Sequence, residues 1–249
     1  VELPFSPIDT CGTGGSGLDT FNTSTAVSFV IAASGVGIAK HGNRASSSKS
    51  GSADVLESLG VKLGLSSESI VALYKATNYC FLFAPNFHPA TKRVAGIRKQ
   101  LGTRTLFNFL GPLCNPANPK AQLIGVSSDA MQKVIADSLA QDPKTKALIV
   151  RGQDGLDEIS LAEQTKVFEV SHGKVKSYSL SPADFGYELV SAEQIRGFEP
   201  SLSAKKIRDI FSGEKSALRN LVCLNAGAAL YISGDCTSIK EGIAKEKNT

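Results

Sequence analysis

The sequence predicts an α/β fold, with a central mixed, largely parallel sheet flanked by helices. Three observations lead there. From Leu123 onward, short apolar runs alternate with amphipathic stretches at strand–helix–strand spacing, which implies parallel pairing. Near the start, a glycine-rich segment joins a strand beginning at Ile8 to an apolar helix. The short buried runs 36–39 and 79–83 both end in polar or special residues, and ligands in α/β folds collect at such strand ends. At 249 residues, the chain is long enough to bury a large core.

In order, Val1 to Pro7 carries two prolines and forms an extended lead-in. The strand from Ile8 feeds the glycine loop. The helix from Thr23 to Ser34 is apolar nearly all round, so it is buried, and Gly35 ends it. Val36 to Ala39 is a buried strand delivering Lys40 and His41. Helices follow over Ser52–Leu59 and Ser67–Ala76, the latter with Ile70, Val71 and Tyr74 on one face. Tyr79 to Phe83 is a strand whose exit holds Ala84, Pro85 and His88. Pro89 suits the first turn of a helix running to Leu101, with Arg98 off its core stripe. Leu106 to Leu110 is apolar, and prolines 112, 116 and 119 enforce an irregular loop. Strands are predicted at Leu123–Val126 and Ala147–Val150, around a helix at Asp129–Ala140. Thr165–Val170 and Val175–Leu180 flank Ser171-His172-Gly173-Lys174, a hairpin signal. Helices close the chain over Ala204–Phe211, Ser216–Ile232 and Ser238–Lys245.

The chemistry concentrates in the first fifty residues. Gly12, Gly14, Gly15 and Gly17 leave backbone N–H groups open to close approach. Asn22 and Thr23 are good N-caps for the helix that follows, and a helix start behind a glycine loop is an anion site. Lys40 and Arg44 add positive charge, and Ser46, Ser47 and Ser48 add hydroxyls. A flexible turn would account for the glycines alone; three phosphate-friendly clusters so close together favour the anion site. No Gly-Lys-Ser/Thr follows the glycines, so this is not a Walker loop. The glycine spacing also fails the dinucleotide fingerprint. Asp157-Glu158, adjacent carboxylates in a glycine-bearing loop after a buried strand, suit a hard cation, and both side chains are expected to be exposed.

Together these stretches closely resemble the anthranilate phosphoribosyltransferase family. The matching segments are Gly12-Thr13-Gly14-Gly15, Asn22 to Thr25, Lys40-His41-Gly42-Asn43-Arg44 and Ser48 to Asp54. Further along come Phe83-Ala84-Pro85 with His88-Pro89, Phe107 to Leu113, and Asp154 to Glu158. The likeness covers nearly the whole chain in the family's order. It implies the α/β catalytic fold shared with pyrimidine nucleoside phosphorylases, spanning 1–249 as one domain. It also implies that a small helical domain normally precedes Val1 and more helix follows Thr249, so the chain, which opens Val-Glu-Leu-Pro, is read as part of a longer protein. The family usually dimerises through that helical domain.

The resemblance further implies transfer of the phosphoribosyl group of phosphoribosyl pyrophosphate to anthranilate, in tryptophan biosynthesis. Gly12, Gly15, Ser16 and Thr20 would surround the phosphoribosyl pyrophosphate, with Asn22, Thr23, Ser24 and Thr25. The stretch Lys40, His41, Gly42, Asn43, Arg44, Ala45, Ser46, Ser47 and Ser48, and then Ser52, would complete that shell. Asp157 and Glu158 would hold one magnesium ion, and Glu158 with the Ser24 hydroxyl a second. Arg98 would bind the anthranilate carboxylate through its two-pronged guanidinium. Gly12 and Asn43 would sit by the reacting amine, and His41 and His88 are expected as pocket walls. An aspartate usually stands where this chain has Ser16, which removes one acidic group from the magnesium side.

Composition narrows the alternatives. A net charge of +4 is too small to imply nucleic acid as a partner. Five cysteines without paired motifs fit a reducing compartment, and three scattered histidines argue against zinc. The predicted location is the cytoplasm, or a plastid for a plant source. No apolar run is long enough to cross a membrane. The rivals are a nucleoside phosphorylase, which has no need of the acid pair, and a nucleic-acid-binding relative, which should show a basic stripe and degraded motifs.

Overall fold

The computed structural model describes residues 1–15, 17–45, 48–90, 100 and 105–246. Short apolar runs bounded by glycine or polar residues form strands β1 (Ile8–Gly12), β2 (Ile38–Gly42), β3 (Tyr79–Phe83), β4 (Ala121–Gly125), β5 (Lys146–Gly152), β6 (Thr165–Ser171) and β7 (Lys174–Leu180). They make one sheet in the order β3-β2-β1-β4-β5-β6-β7. The first five run parallel, and β6 and β7 add antiparallel pairings. The sheet is therefore mixed and largely parallel, as expected.

The helices are α1 (Thr23–Ala33), α2 (Ser52–Ser58), α3 (Ser67–Thr77), α4 (Ala84–Phe87), α5 (Asp129–Leu139), α6 (Pro200–Phe211), α7 (Ala217–Ser233) and α8 (Ile239–Glu246). Parallel strands are covered on both faces, so successive side chains enter different cores. Leu123, Leu148 and Val150 join the large core, with Val27 and Ile31 of α1 and Leu221, Val222 and Leu224 of α7. Their neighbours Ile124, Ala147 and Ile149 pack on the other face with Ile135 and Ala136 of α5. Ala39, Cys80 and Leu82 meet Ile70 and Tyr74 of α3 in a third cluster.

Element positions follow the sequence reading, with shifted ends. The strand expected at Val36–Ala39 instead runs through Gly42, because pairing with β3 continues to Gly42 opposite Phe83. Lys40 and His41 therefore lie inside a strand and are buried. The expected helix from Pro89 to Leu101 falls almost wholly outside the described residues, and the short α4 follows β3. The apolar run at 106–110 gives only single 3-10 turns, Leu106–Asn108 and Gly111–Leu113. In the β6–β7 hairpin, His172 and Gly173 both take positive φ, and His172 is exposed. All five cysteines are free, four of them buried. Among the described residues, no helix is long and apolar enough to cross a membrane.

One buried polar residue interrupts α7. Asn225 is fully enclosed; its side-chain carbonyl accepts from Ile159 N–H and its amide donates to Ile159 and Leu221 C=O, each at 2.9 Å. It acts as a one-residue strand and fixes the chain directly after Glu158. Removing it leaves two buried backbone groups of Ile159 unpaired, each costing roughly 1–3 kcal/mol. Asn225→Ala should therefore lower unfolding free energy by about 2–5 kcal/mol in urea titration; a change within about 0.5 kcal/mol, the usual range for surface substitutions, would contradict this role.

Candidate functional site

The C-terminal ends of β1, β2 and β4 meet the N-terminus of α1 around a cavity of about 390 Å³. Its walls come from the glycine loop, Asn22, Ser24 and Thr25 of the α1 start, Lys40 to Ala45, Ser48, Ser50 to Ser52, and Asp157 with Glu158. The loop after β5 reaches this end because β1 and β4 finish in paired glycines, Gly12 opposite Gly125. A Cβ on Gly12 would lie 2.5 Å from Asp157 Oδ2, and one on Gly125 would collide with the Asp157 carbonyl. The acid loop thus lies directly on two bare strand ends. A larger cavity of about 630 Å³, between α1, α6 and α7, is walled mainly by apolar residues such as Phe29, Ile207 and Phe211 and carries no such constellation of charge.

The two acids are not the exposed pair the sequence suggested. Glu158 is 9% exposed, and its Oε1 accepts the Ser24 N–H at 3.2 Å. Asn22 occupies the N-cap position without capping; its amide donates to Ser50 C=O at 3.1 Å. The helix end is therefore capped by a carboxylate from a distant loop, which the N-terminal partial charge of α1 favours. Burial first, and then Asp157, push the Glu158 carboxyl up to about 8. Asp157 Oδ2 accepts the Gly14 N–H at 3.1 Å, and Thr13 N–H donates to Gly125 C=O at 2.8 Å. Gly14, one of the loop amides expected to be bare, is thus already engaged within the protein, as is its neighbour Thr13.

Among the described residues Lys40 is the only buried lysine, at 1% exposure. Its ammonium donates to Thr10 C=O at 2.6 Å and to the Ser24 hydroxyl at 3.1 Å. Burial lowers its pKa, opposed by Asp9, Cys11 and Glu158. Behind it, buried Asp9 accepts the His41 N–H at 3.2 Å and the Asn115 amide at 2.8 Å. His41 Nδ1 lies 3.0 Å from Gly111 C=O, so this nitrogen carries the proton. That tautomer makes His41 Nε2 the acceptor for His88 Nε2, 3.1 Å away.

The charges suit a divalent cation. Among the described residues no three or more His, Cys, Asp or Glu gather as a metal cluster. Two close carboxylates, one strongly destabilised in its charged form, match an ion that takes few protein ligands and completes its shell with water and phosphate oxygens. Three buried polar atoms at the same end, Asn22 Oδ1, Thr25 Oγ1 and Ser50 Oγ, have no hydrogen-bond partner among the described residues. A polar ligand seated there would satisfy them.

Residues 6–249 match the family model described as glycosyl transferase family, a/b domain. The chain is 48% identical to the anthranilate phosphoribosyltransferase of Brevibacillus brevis, over 98% of this chain and 72% of the relative. The chain belongs to the anthranilate phosphoribosyltransferase family. The Methanosarcina mazei member is 49% identical over 97% of this chain, which spans 65% of that relative's length. The anthranilate phosphoribosyltransferase structure from Thermus thermophilus superposes with a TM-score of 0.93 at 41% identity, covering 100% of this chain and 74% of the other. That from Saccharomyces cerevisiae, solved in complex with phosphoribosyl pyrophosphate and magnesium, gives 0.90 at 32% identity, covering 100% and 70%.

Of the residues that resemblance to the anthranilate phosphoribosyltransferase family implied, Gly12, Gly15, Thr20, Asn22, Ser24, Thr25 and Lys40 line the cavity. So do His41, Gly42, Asn43, Arg44, Ala45, Ser48, Ser52, Asp157 and Glu158. Thr23 does not; it is buried, with its hydroxyl 3.4 Å from Phe21 C=O. His88 is not a cavity wall either, and instead backs His41. Arg44 borders the cavity, but its guanidinium pairs with Asp54 and Glu57. Ser16, Ser46, Ser47 and Arg98 lie outside the described residues. Sequence reasoning assigned no role to Ala84, Phe107, Asn108 and Gly111, which also line the cavity, although they fall in the quoted motifs. Asp9 and Asn115 carried no signal, being lone polar residues among apolar or proline-rich neighbours.

The electrostatics have a pH consequence. Glu158 holds its proton more tightly folded than unfolded, so the native state binds more protons between its unfolded value near 4.5 and its folded value of about 8. Stability should fall as pH rises through that window, in the absence of divalent ions. Urea titrations at several pH values should show this slope weakened in Glu158→Gln; an unchanged slope in the variant would assign it to other groups. Separately, Gly125→Ala should displace the Asp157 backbone, and a variant with wild-type stability would contradict the close approach.

Proposed function

We propose that the chain transfers the phosphoribosyl group of phosphoribosyl pyrophosphate to anthranilate, giving N-(5-phosphoribosyl)anthranilate and pyrophosphate. The observation carrying this reading is the acid pair Asp157–Glu158, seated on the glycine loop and the N-terminus of α1. The names of the relatives, and the yeast complex with phosphoribosyl pyrophosphate and magnesium, support it.

The residues divide the work. Ser24, Thr25 and Asn22, with Ser48 and Ser52, hold the phosphates and ribose through hydroxyl and amide groups. Lys40 supplies positive charge from below while keeping the Ser24 hydroxyl oriented. Asp157, Glu158 and the Ser24 hydroxyl would hold two magnesium ions, and the chemistry these would supply is neutralisation of charge on the leaving pyrophosphate. The bond from the anomeric carbon to pyrophosphate breaks, and the bond to the anthranilate nitrogen forms. The amine proton goes to the substrate's own ortho-carboxylate. Both ring nitrogens of His41 are engaged, one with Gly111 and one with His88, which leaves it a wall and not a base. Arg98 binds the anthranilate carboxylate, with Gly12 and Asn43 beside the amine. Catalysis is by positioning and charge stabilisation.

The direct test is loss of anthranilate fluorescence on adding phosphoribosyl pyrophosphate and magnesium, with pyrophosphate released in equal amount. No loss from a folded chain would refute the assignment. Asp157→Asn with Glu158→Gln should remove most activity and shift the magnesium requirement upward; normal turnover at limiting magnesium would sink the metal role. Arg98→Ala should raise KM for anthranilate by roughly tenfold or more, the loss of a charge-assisted bond, and leave that for phosphoribosyl pyrophosphate nearly unchanged. Arg98→Lys should recover only part. The reverse pattern would put Arg98 at the phosphate end.

A further inference from the structure

Arg44 stands in the phosphate-facing motif, yet its bonds run elsewhere. One guanidinium nitrogen lies 3.1 Å from Asp54 Oδ1 and also meets Glu57, and the other lies 2.9 Å from Glu57 Oε1. A phosphate approaching this guanidinium would meet two carboxylates at close range. Asp54 itself is more than an ion-pair partner. Its Oδ2 accepts the Ala45 N–H and the Gly51 N–H, both at 2.9 Å. Those amides are the two ends of the serine-bearing loop between β2 and α2. The ends touch so closely that a Cβ on Gly51 would collide with the backbone of Arg44 and Ala45. A single carboxylate oxygen therefore closes the neck of the loop. Only 18% of the Asp54 side chain is exposed, which shields these bonds from competing water. Beyond the neck, Ser50 C=O is tied to the Asn22 amide at the start of α1, and the buried Ser50 hydroxyl has no partner among the described residues.

We propose that Asp54 is a positioning residue, holding Ala45 and Gly51 together so that Ser48, Ser50 and Ser52 face the substrate cavity, and that Arg44 serves this clamp and does not contact phosphate. The proposal rests on the functional reading above. Loss of the anionic acceptor would free Ala45 and Gly51 to part, which would displace Ser48 and Ser50 and weaken only the ligand they hold. An arginine directly on phosphate would instead contribute independently of Asp54.

The test is a double-mutant cycle on the whole chain with Asp54→Asn, Arg44→Gln and the pair. Calorimetric binding of phosphoribosyl pyrophosphate with magnesium is read beside KM for each substrate, and unfolding midpoints check the fold. Asp54→Asn should weaken phosphoribosyl pyrophosphate binding by about tenfold, the scale of one charge-assisted hydrogen bond, and leave KM for anthranilate within about twofold. Arg44→Gln should cost about threefold alone and nothing further in the Asp54→Asn background, since coupled residues are non-additive. Equal Arg44→Gln losses in both backgrounds, or wild-type affinity in Asp54→Asn, would overturn the proposal. If Asp54→Asn does not fold, Arg44→Gln decides alone: a loss of about tenfold or more is the signature of direct phosphate contact and overturns it, and a loss near threefold supports it. A wild-type chain that binds no phosphoribosyl pyrophosphate would remove the functional reading and this proposal together, whereas a binding wild type with additive variants removes this proposal alone.

Discussion

A carboxylate buried against the first turn of a helix, with an enclosed lysine bonded to the same serine, is the interaction on which the remaining site depends. Glu158 accepts the Ser24 N–H, Lys40 donates to the Ser24 hydroxyl, and Asp157 lies on the glycine loop. Each requirement constrains a different part of the chain. The acid loop can reach α1 only because β1 and β4 end in glycine. Its exit is fixed by Asn225 from α7, and its return is fixed by Ser160, which donates to Asp154 at 2.6 Å. The helix start is left without a side-chain cap of its own, which makes room for a ligand there. Burying these charges without full compensation is costly, and the raised carboxyl of Glu158 shows where that cost is concentrated. A bound divalent cation with its polyanion would relieve it.

The second support lies under β2. A strand buried on both faces ordinarily carries apolar residues, yet β2 carries Lys40 and His41 into the interior. Asp9 makes this tolerable. It binds the His41 backbone and Asn115, and it raises the pKa of Lys40 against burial. His41 passes the connection on to Gly111 and His88. The loop that lines the far wall of the cavity is thus tied to the strand that presents the lysine. A polar network of this kind must be satisfied throughout, since each unpaired member is expensive in a low-dielectric interior.

Much of this was legible in the sequence, and the exceptions have physical reasons. The glycine loop, the run at 22–25, the Lys40–Arg44 stretch and the acid pair are local patterns, and each contributes residues to one cavity, Thr23 excepted. Strand and helix identities followed from periodicity, with ends displaced by pairing partners that no window of sequence contains, as at Gly42 opposite Phe83. What stayed hidden was long-range. Nothing near Asn225 or Asp9 in sequence announces that they hold residues tens of positions away. Asp157 and Glu158 looked like exposed loop acids because the helix that buries Glu158 lies more than a hundred residues earlier. Arg44 looked free for phosphate because Asp54 and Glu57, though close in sequence, read as ordinary helix acids.

The central claim is that the strand-end charges are arranged to be completed by a divalent cation and a pyrophosphate group together. Thermal unfolding of the chain with magnesium alone, pyrophosphate alone and both at once tests it, because a ligand bound only to the folded state raises Tm by mass action. The account predicts a clear rise with both, growing with their concentration, little with either alone, and none in Asp157→Asn with Glu158→Gln. An absent rise with both, or the same rise in that double variant, would contradict it.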